Sequence, residues 1–172
     1  MLKRVADAVM RIAASFALVA TVHAAGLDLP ADPKLLPPEQ AFRFSARAVD
    51  ANTLEARFDV ANGYYLYRDK LHFMLEKAPP TLGSAMLPAG HAKHDEFFGD
   101  VEIYRGPTIV RLPMAGASAE QNLVLVADSQ GCADAGVCYP PTRQQVRLVV
   151  PRPGAAAGPQ VFAVQPRQGL FN

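Results

Sequence analysis

The sequence predicts an all-β protein built as an antiparallel β-sandwich, and three observations carry that prediction. Apolar residues recur with a period of two: Leu54, Ala56, Phe58 and Val60 alternate with Glu55, Arg57 and Asp59. That period puts one face of an extended strand inward and the other outward. Further short segments rich in β-branched residues follow, with Pro or Gly in every gap. No segment sustains a helical period with caps. Many short strands separated by turn signals pack most naturally as two antiparallel sheets face to face.

Taken in order, the chain opens on a leader. Residues 1–11 carry Lys3, Arg4 and Arg11 against Asp7, residues 12–21 are apolar and Ala-rich, and Val22-His23-Ala24 offers small residues where a signal peptidase reads. This is the pattern of a cleaved secretory signal over residues 1–24, and its apolar stretch is short for a membrane span. A retained anchor helix is the competing reading. A lipid anchor is disfavoured, since no cysteine lies near the cleavage point. Residues 25–34 read as a flexible lead-in, part of a Pro-rich stretch reaching Pro38.

Residues 35–150 form the predicted folded body, one domain with a proper core. After the strand at 54–60, Asn62-Gly63 is a hairpin turn signal and Tyr64–Tyr67 resumes extended structure. Leu71, Phe73 and Leu75 alternate again, and strands are predicted over 108–112, 123–127 and 145–150. Residues 151–172, rich in Pro, Gly and Ala, read as a tail with little structure of its own. There is no internal repeat. The leader holds three of the 17 basic and one of the 16 acidic residues, which leaves 14 against 15 and a net charge of about −1. A chain without a basic stripe is not built to grip nucleic acid. The mature protein has no later stretch of about 18 apolar residues and is expected to be soluble.

The chemistry concentrates in Gln130-Gly131-Cys132-Ala133-Asp134-Ala135-Gly136-Val137-Cys138-Tyr139-Pro140-Pro141, which holds both of the chain's 2 cysteines. In an oxidising compartment such neighbours usually pair. One reading is a structural staple, but closing so short a loop contributes only about 2.4 kcal/mol in the chain-entropy treatment. The other is a redox pair, favoured by the small residues Gly131, Ala133, Ala135 and Gly136, which leave the sulfurs open to a partner. A metal site is a third possibility, because His91 and His94 lie three apart. Neither histidine is next to a cysteine in sequence, and solvated loop residues are the plainer account.

The segment from Gly131 to Pro141 resembles the redox loop of a known family, the N-terminal periplasmic domain of the thiol:disulfide interchange protein DsbD. Two further motifs agree: Gly63-Tyr64-Tyr65-Leu66-Tyr67-Arg68 with the family's aromatic strand, and His94-Asp95-Glu96-Phe97-Phe98-Gly99 followed by Glu102-Ile103-Tyr104-Arg105 with its cap loop and next strand. Pro38-Glu39-Gln40-Ala41-Phe42 fits its opening. The resemblance covers residues 35–150 and implies an immunoglobulin-like sandwich that passes electrons from a thioredoxin-like dithiol to periplasmic partners. Those partners include a disulfide isomerase and a thioredoxin-like factor of cytochrome c maturation. It implies a protein-disulfide reductase activity, with no small cofactor and no metal.

The same resemblance distributes roles. Cys138 would form the mixed disulfide with partners and Cys132 would resolve it. Asp95 and Glu96 would lie near the sulfurs, where negative charge disfavours a thiolate. Phe97 and Phe98 would cover the pair as a lid closed by Gly99, and Tyr65 and Tyr67 would form its floor. On the residues alone the two tyrosines read as ordinary strand packing. The family's full-length protein continues into a multi-helix membrane domain and a thioredoxin-like domain. A sequence ending at Asn172 would be either a stand-alone module with a separate membrane electron donor of DsbD type or part of a longer chain. The rival function is a partner-binding sandwich with a permanent disulfide.

Overall fold

The computed structural model describes residues 35–164. The expected leader (1–24), the lead-in (25–34) and the end of the tail (165–172) lie outside the described residues. Twelve strands run in the order β1 Phe42–Ala48, β2 Thr53–Val60, β3 Tyr64–Tyr67, β4 His72–Leu75, β5 Thr81–Leu82 and β6 His91–Asp95, then β7 Gly99–Tyr104, β8 Pro107–Ala115, β9 Asn122–Ser129, β10 Gly131–Ala133, β11 Thr142–Val149 and β12 Val161–Phe162. Among the described residues, helix is confined to one turn, α1 at Pro38–Ala41, and a 3₁₀ turn at Arg68–Lys70. None of the described helices is long and apolar enough to cross a membrane.

Alternation decides which strands face each other. In β2, Leu54, Ala56, Phe58 and Val60 are buried while the residues between them are half-exposed. In β8, Thr108, Val110, Leu112 and Met114 are buried and every second residue is exposed. These inner faces belong to a five-stranded antiparallel sheet ordered β12-β1-β2-β8-β5. A three-stranded sheet, β11-β9-β4, supplies the opposing Leu123, Leu125, Val146 and Leu148. Phe58 of the larger sheet meets Phe44 at 5.0 Å and Phe73 of β4 at 6.5 Å, so the rings close the space between the layers. The predicted all-β sandwich is what the chain forms.

The functional end grows out of this sandwich. β9 leads into β10 across Gln130 alone, and β3 leads into β4 across the 3₁₀ turn. The two runs stay antiparallel: β4 pairs with β9, Tyr67 N–H donates to the Gln130 carbonyl at 3.0 Å, and β3 pairs with β10. They thereby pass into a four-stranded sheet ordered β10-β3-β7-β6. Gly131 marks the tightest crossing, where a Cβ would strike the Tyr65 carbonyl and stand 2.7 Å from the Phe42 ring.

Two expectations need correction. Asn62-Gly63 does make a turn, with Tyr64 N–H donating to the Ala61 carbonyl at 3.1 Å, but it joins no hairpin. β2 pairs with β1 and β8, whereas β3 pairs with β10 and β7. The reason is local: Gly63 has φ +81° and Asn62 has no positive φ. That is a type II turn, whose twist splays the flanking strands, where a two-residue hairpin needs the primed forms. The described part of the tail is also less idle than its composition suggested. Gly158 N–H donates to the Ala48 carbonyl at 2.8 Å, β12 pairs Val161 and Phe162 with Ala46 and Ser45, and Ala163 N–H reaches the Phe44 carbonyl at 3.0 Å. β1 would otherwise end the sheet with bare backbone groups, and an extended Pro- and Gly-rich segment suits a short edge strand.

Candidate functional site

β3 is buried on both faces, and its alternation sorts four residues into two places. Tyr64 and Leu66 join the main core, while Tyr65 and Tyr67 form a second cluster with Ile103 and Cys132, flanked by Val101 and Cys138. β10 sets Cys132 opposite Tyr65. Cys132 and Cys138 form a disulfide, with Cα atoms 3.9 Å apart, across a narrow hairpin. That hairpin is held by Ala133 N–H to the Val137 carbonyl (2.8 Å), Gly136 N–H to the Ala133 carbonyl (3.0 Å) and Tyr139 N–H to the Gly131 carbonyl (3.0 Å). Gly136, at φ +85°, makes the reversal possible. Cys132 has no exposed surface, Cys138 is half-buried, and Asp134 to Val137 are exposed.

Beneath the sulfurs lies a buried hydrogen-bond hub. Tyr67 Oη stands 3.1 Å from Cys132 Sγ and 3.8 Å from Cys138 Sγ. It donates its hydrogen to Asp95 Oδ2 at 2.9 Å, and Tyr65 donates to the same oxygen at 2.9 Å. Asp95 Oδ1 accepts from the amides of Phe97 (2.9 Å) and Phe98 (3.3 Å). Asp95 is only 3% exposed. Burial alone would raise its pKa, but the Phe97 amide, the two phenols and the Phe98 amide together outweigh that and hold the carboxyl below the ordinary 3.8. Burial pushes both phenols up, and for Tyr67 the bonds with Tyr65 and Asp95 push the same way.

The turn from β6 to β7 is therefore tied down by one carboxylate. Asp95 pairs with Gly99 across it, and Gly99 has φ +70°. The Phe98 ring meets Tyr67 edge-on at 5.0 Å and carries the Lys70 ammonium 4.9 Å above it. Phe98 is 42% and Phe97 64% exposed. Glu96 is exposed. The structure thus gathers Cys132, Cys138, Tyr65, Tyr67, Asp95 and Phe98 into one cluster, with Phe97 and Glu96 on its outer rim. Asp95 approaches the sulfurs through the Tyr67 hydroxyl, with its carboxylate buried behind the phenol.

Four participants escaped the sequence reading. Lys93 lies 5.1 Å over the Tyr65 ring, with its ammonium 4.0 Å from Asp95 Oδ2. Arg105 lies 5.2 Å over the same ring and forks onto Asp134 inside the cysteine hairpin, at 2.9 and 2.7 Å. Lys70 braces Phe98. For Arg105 and Asp134 the opposite charges within two of the motifs were a usable signal; for the lysines there was none. His91 and His94 stand three apart on β6, so they face opposite sides of the strand. His94 Nδ1 lies 2.7 Å from Asp100 Oδ1 at the surface. Among the described residues no three His, Cys, Asp or Glu side chains gather as metal ligands do.

Fold and site together define a class: a small immunoglobulin-like β-sandwich that presents one disulfide at its end under a short loop. Residues 32–150 match the sequence profile of the family described as thiol:disulfide interchange protein DsbD, N-terminal. The chain is 43% identical over 139 residues to the thiol:disulfide interchange protein DsbD of Ralstonia nicotianae, covering 79% of this chain and 22% of that protein. Against DsbD 1 of Pseudomonas aeruginosa it is 42% identical over 121 residues, 70% of this chain and 20% of that one. Its structure is similar to the crystal structure of the Neisseria meningitidis DsbD N-terminal domain in the reduced form, with TM-score 0.63, 35% identity and coverage of 76% of this chain and 96% of that one. It is also similar to a structure of the complex between the DsbD N-terminal and PilB N-terminal domains of the same organism, with TM-score 0.56, 38% identity and coverage of 67% and 88%. The chain belongs to the DsbD N-terminal domain family. It spans about a fifth of the length of the curated relatives it matches.

Proposed function

We propose that this chain is a periplasmic thiol–disulfide exchange module, a protein-disulfide reductase component that works through Cys132–Cys138. A thioredoxin-like dithiol, supplied by a membrane electron donor of DsbD type, reduces the pair. The dithiol then reduces disulfides in periplasmic thioredoxin-like proteins, such as a disulfide isomerase and a cytochrome c maturation factor. The observation that carries the reading is the unequal placement of the two sulfurs, Cys138 half-buried at an exposed hairpin and Cys132 wholly buried on Tyr67. Family membership and the leader-like residues 1–24 support the periplasm as its location.

Exchange needs an accessible thiolate. Cys138 attacks the partner disulfide, which releases one partner thiolate and leaves a mixed disulfide. Cys132 then loses its proton to solvent and attacks Cys138 Sγ. The Cys132–Cys138 bond re-forms, the second partner thiolate leaves, and the dithiol's two electrons end on the partner. Tyr67 has one hydroxyl hydrogen, and Asp95 takes it. Its oxygen therefore faces Cys132 as an acceptor, which favours the protonated thiol, and the Asp95 charge acts in the same direction. Both effects keep the dithiol quiet. Phe98 on Tyr67, with Phe97 and Glu96 outside it, forms a cap that a partner displaces.

The test uses the oxidised protein and a reduced thioredoxin-like protein in a stopped-flow or gel-shift time course, with NADPH alone as control. Rapid reduction by the dithiol, none by NADPH, and a stable adduct through Cys138 in Cys132→Ala are expected. A pair that no thioredoxin-like dithiol reduces, with a potential below about −300 mV, would mark a structural disulfide in a binding module.

A further inference from the structure

Besides its backbone hydrogen bonds, which include Asp134 N–H to the Gly63 carbonyl at 2.8 Å, the disulfide hairpin has a second side-chain fastening in addition to the sulfur bond. Of the residues between the cysteines, Ala133, Ala135, Gly136 and Val137 carry no polar side chain, so Asp134 alone offers one to bind. Arg105 takes it with a two-pronged pair, Nη1 to Oδ2 at 2.9 Å and Nη2 to Oδ1 at 2.7 Å. Arg105 is itself anchored: it follows β7 directly, Nη1 also donates to the Tyr64 carbonyl at 3.2 Å, and its guanidinium lies over the Tyr65 ring at 5.2 Å. Tyr65 in turn donates to Asp95, whose other oxygen holds the cap amides. One side chain thus reaches both the loop that carries the sulfurs and, through Tyr65, the loop that covers them.

Resting on the exchange reading above, we infer that Arg105 is a positioning residue that holds the open dithiol in register for closure. While the disulfide exists, it fixes the hairpin and the ion pair is redundant. Once the sulfurs separate, the Asp134–Arg105 pair is the remaining side-chain tie on the loop. It limits the freedom the hairpin gains and keeps Cys138 within reach of Cys132. The step it governs is the second half of exchange. Cys132 thiolate attacks Cys138 Sγ of the mixed disulfide, the Cys132–Cys138 bond forms, and the partner leaves as a thiolate. Weakening the clamp makes closure rarer, lengthens the life of the mixed disulfide and renders the pair easier to reduce.

The experiment equilibrates the protein with reduced and oxidised glutathione and follows, in parallel, the decay of the glutathione adduct on Cys138. Arg105→Ala and Asp134→Ala are each expected to lower the closing equilibrium constant and the decay rate about three- to five-fold, the scale of a half-exposed ion pair. Arg105→Lys, which keeps the charge without the fork, should recover part of the loss. The reversed pair, Arg105→Asp with Asp134→Arg, should recover more, and high salt should shrink every difference. Single variants with unchanged equilibrium and decay, altered only in melting temperature, would make the pair merely structural and overturn the inference. So would a reversed pair as impaired as the singles. The exchange reading is judged separately, on whether the unaltered protein is reduced by a thioredoxin-like dithiol.

Discussion

Replacing Asp95 by Asn changes one atom and one charge at the centre of the site, and the geometry says which way the hydrogens must turn. Asn keeps one oxygen. The Phe97 and Phe98 amides, at 2.9 and 3.3 Å, cannot redirect their hydrogens, so that oxygen stays with them and the NH₂ faces the two phenols. Each phenol then accepts, and the Tyr67 hydrogen is free to swing towards Cys132 Sγ, 3.1 Å away. In the reduced protein two effects share a sign: a negative charge is removed, and an acceptor facing the sulfur becomes a donor. A hydrogen bond to a charged group contributes about 1.5–3 kcal/mol. At about 1.4 kcal/mol per pH unit, the thiolate should form roughly one to two units lower in Asp95→Asn. The assay is the pH dependence of alkylation rate, or of thiolate absorbance, in the reduced protein. Glu96→Gln serves as the comparison, because an exposed, screened carboxylate should move the curve far less. Thiols that titrate at the same or a higher pH in Asp95→Asn would refute the hydrogen-bond argument.

The same substitution has a stability signature. Two phenols lose a charged acceptor and the site loses a buried charge, so the net destabilisation at neutral pH should be about 1–2 kcal/mol. Asp95's carboxyl is held below the ordinary 3.8 in the folded state. A group with a depressed folded pKa contributes stability above its unfolded value and loses it as pH falls through the folded one. The gap between the unaltered protein and Asp95→Asn should therefore be full above about pH 5 and narrow steadily below 3.8. Urea unfolding across that range reads it directly. A gap constant with pH would mean that the carboxylate is not the source of the difference.

Two other changes separate cap from scaffold. Phe98→Ala should speed reaction of the reduced thiols with a small disulfide more than Phe97→Ala does, because only Phe98 packs on Tyr67. Its stability cost should stay well under the roughly 3–5 kcal/mol of a core Phe. Equal acceleration by the two, or core-like destabilisation without any, would assign the rings to packing. Gly131→Ala should destabilise by about 3 kcal/mol or more in chemical denaturation, since the new methyl meets the Tyr65 carbonyl and the Phe42 ring. A near-neutral result would show that the β9–β10 crossing can relax.

How much could be read from residues alone depended on where each strand lies. β2 and β8 sit inside a sheet with one wet face, so their alternation is clean. β1 holds the same alternation in Phe42, Phe44, Ala46 and Ala48, but its small, weakly β-forming alanines dilute the signal. β6 is an edge strand whose only buried residue is charged, and no hydrophobic pattern marks His91–Asp95. β10 has three residues, too few for any period. The site was legible as motifs, because Tyr65, Tyr67, Asp95 and Cys132 each stand in a recognisable segment. Their convergence was not. Asp95 meets phenols 28 and 30 residues away, and that juxtaposition exists only once β3 is placed between β10 and β7. An aspartate set between His94 and Glu96 reads as solvated, and nothing in the sequence says that two tyrosine hydroxyls will bury it.

On the proposed exchange function, this placement lets reactivity be gated without disturbing the fold. Tyr64 and Leu66 lock β3 into the main core, so the alternate residues Tyr65 and Tyr67 sit on a floor that the whole sandwich holds rigid. The cap has no such support. It is a short turn whose amides depend on one oxygen of Asp95 and whose covering ring rests on Tyr67 and Lys70. Displacing it therefore gives up a few local contacts and leaves the core untouched, which is the low-stability end of the structure where moving loops are found. Tyr67 belongs to both parts: its oxygen touches the sulfur, its hydrogen holds the carboxylate that holds the cap, and its ring carries Phe98. Any change at Cys132 that alters what the Tyr67 oxygen accepts is felt at Asp95 across a single hydrogen bond. In the proposed mechanism sulfur chemistry and cap position would be coupled through that one hydroxyl, and Tyr67→Phe is the substitution that would cut the link while leaving the ring in place.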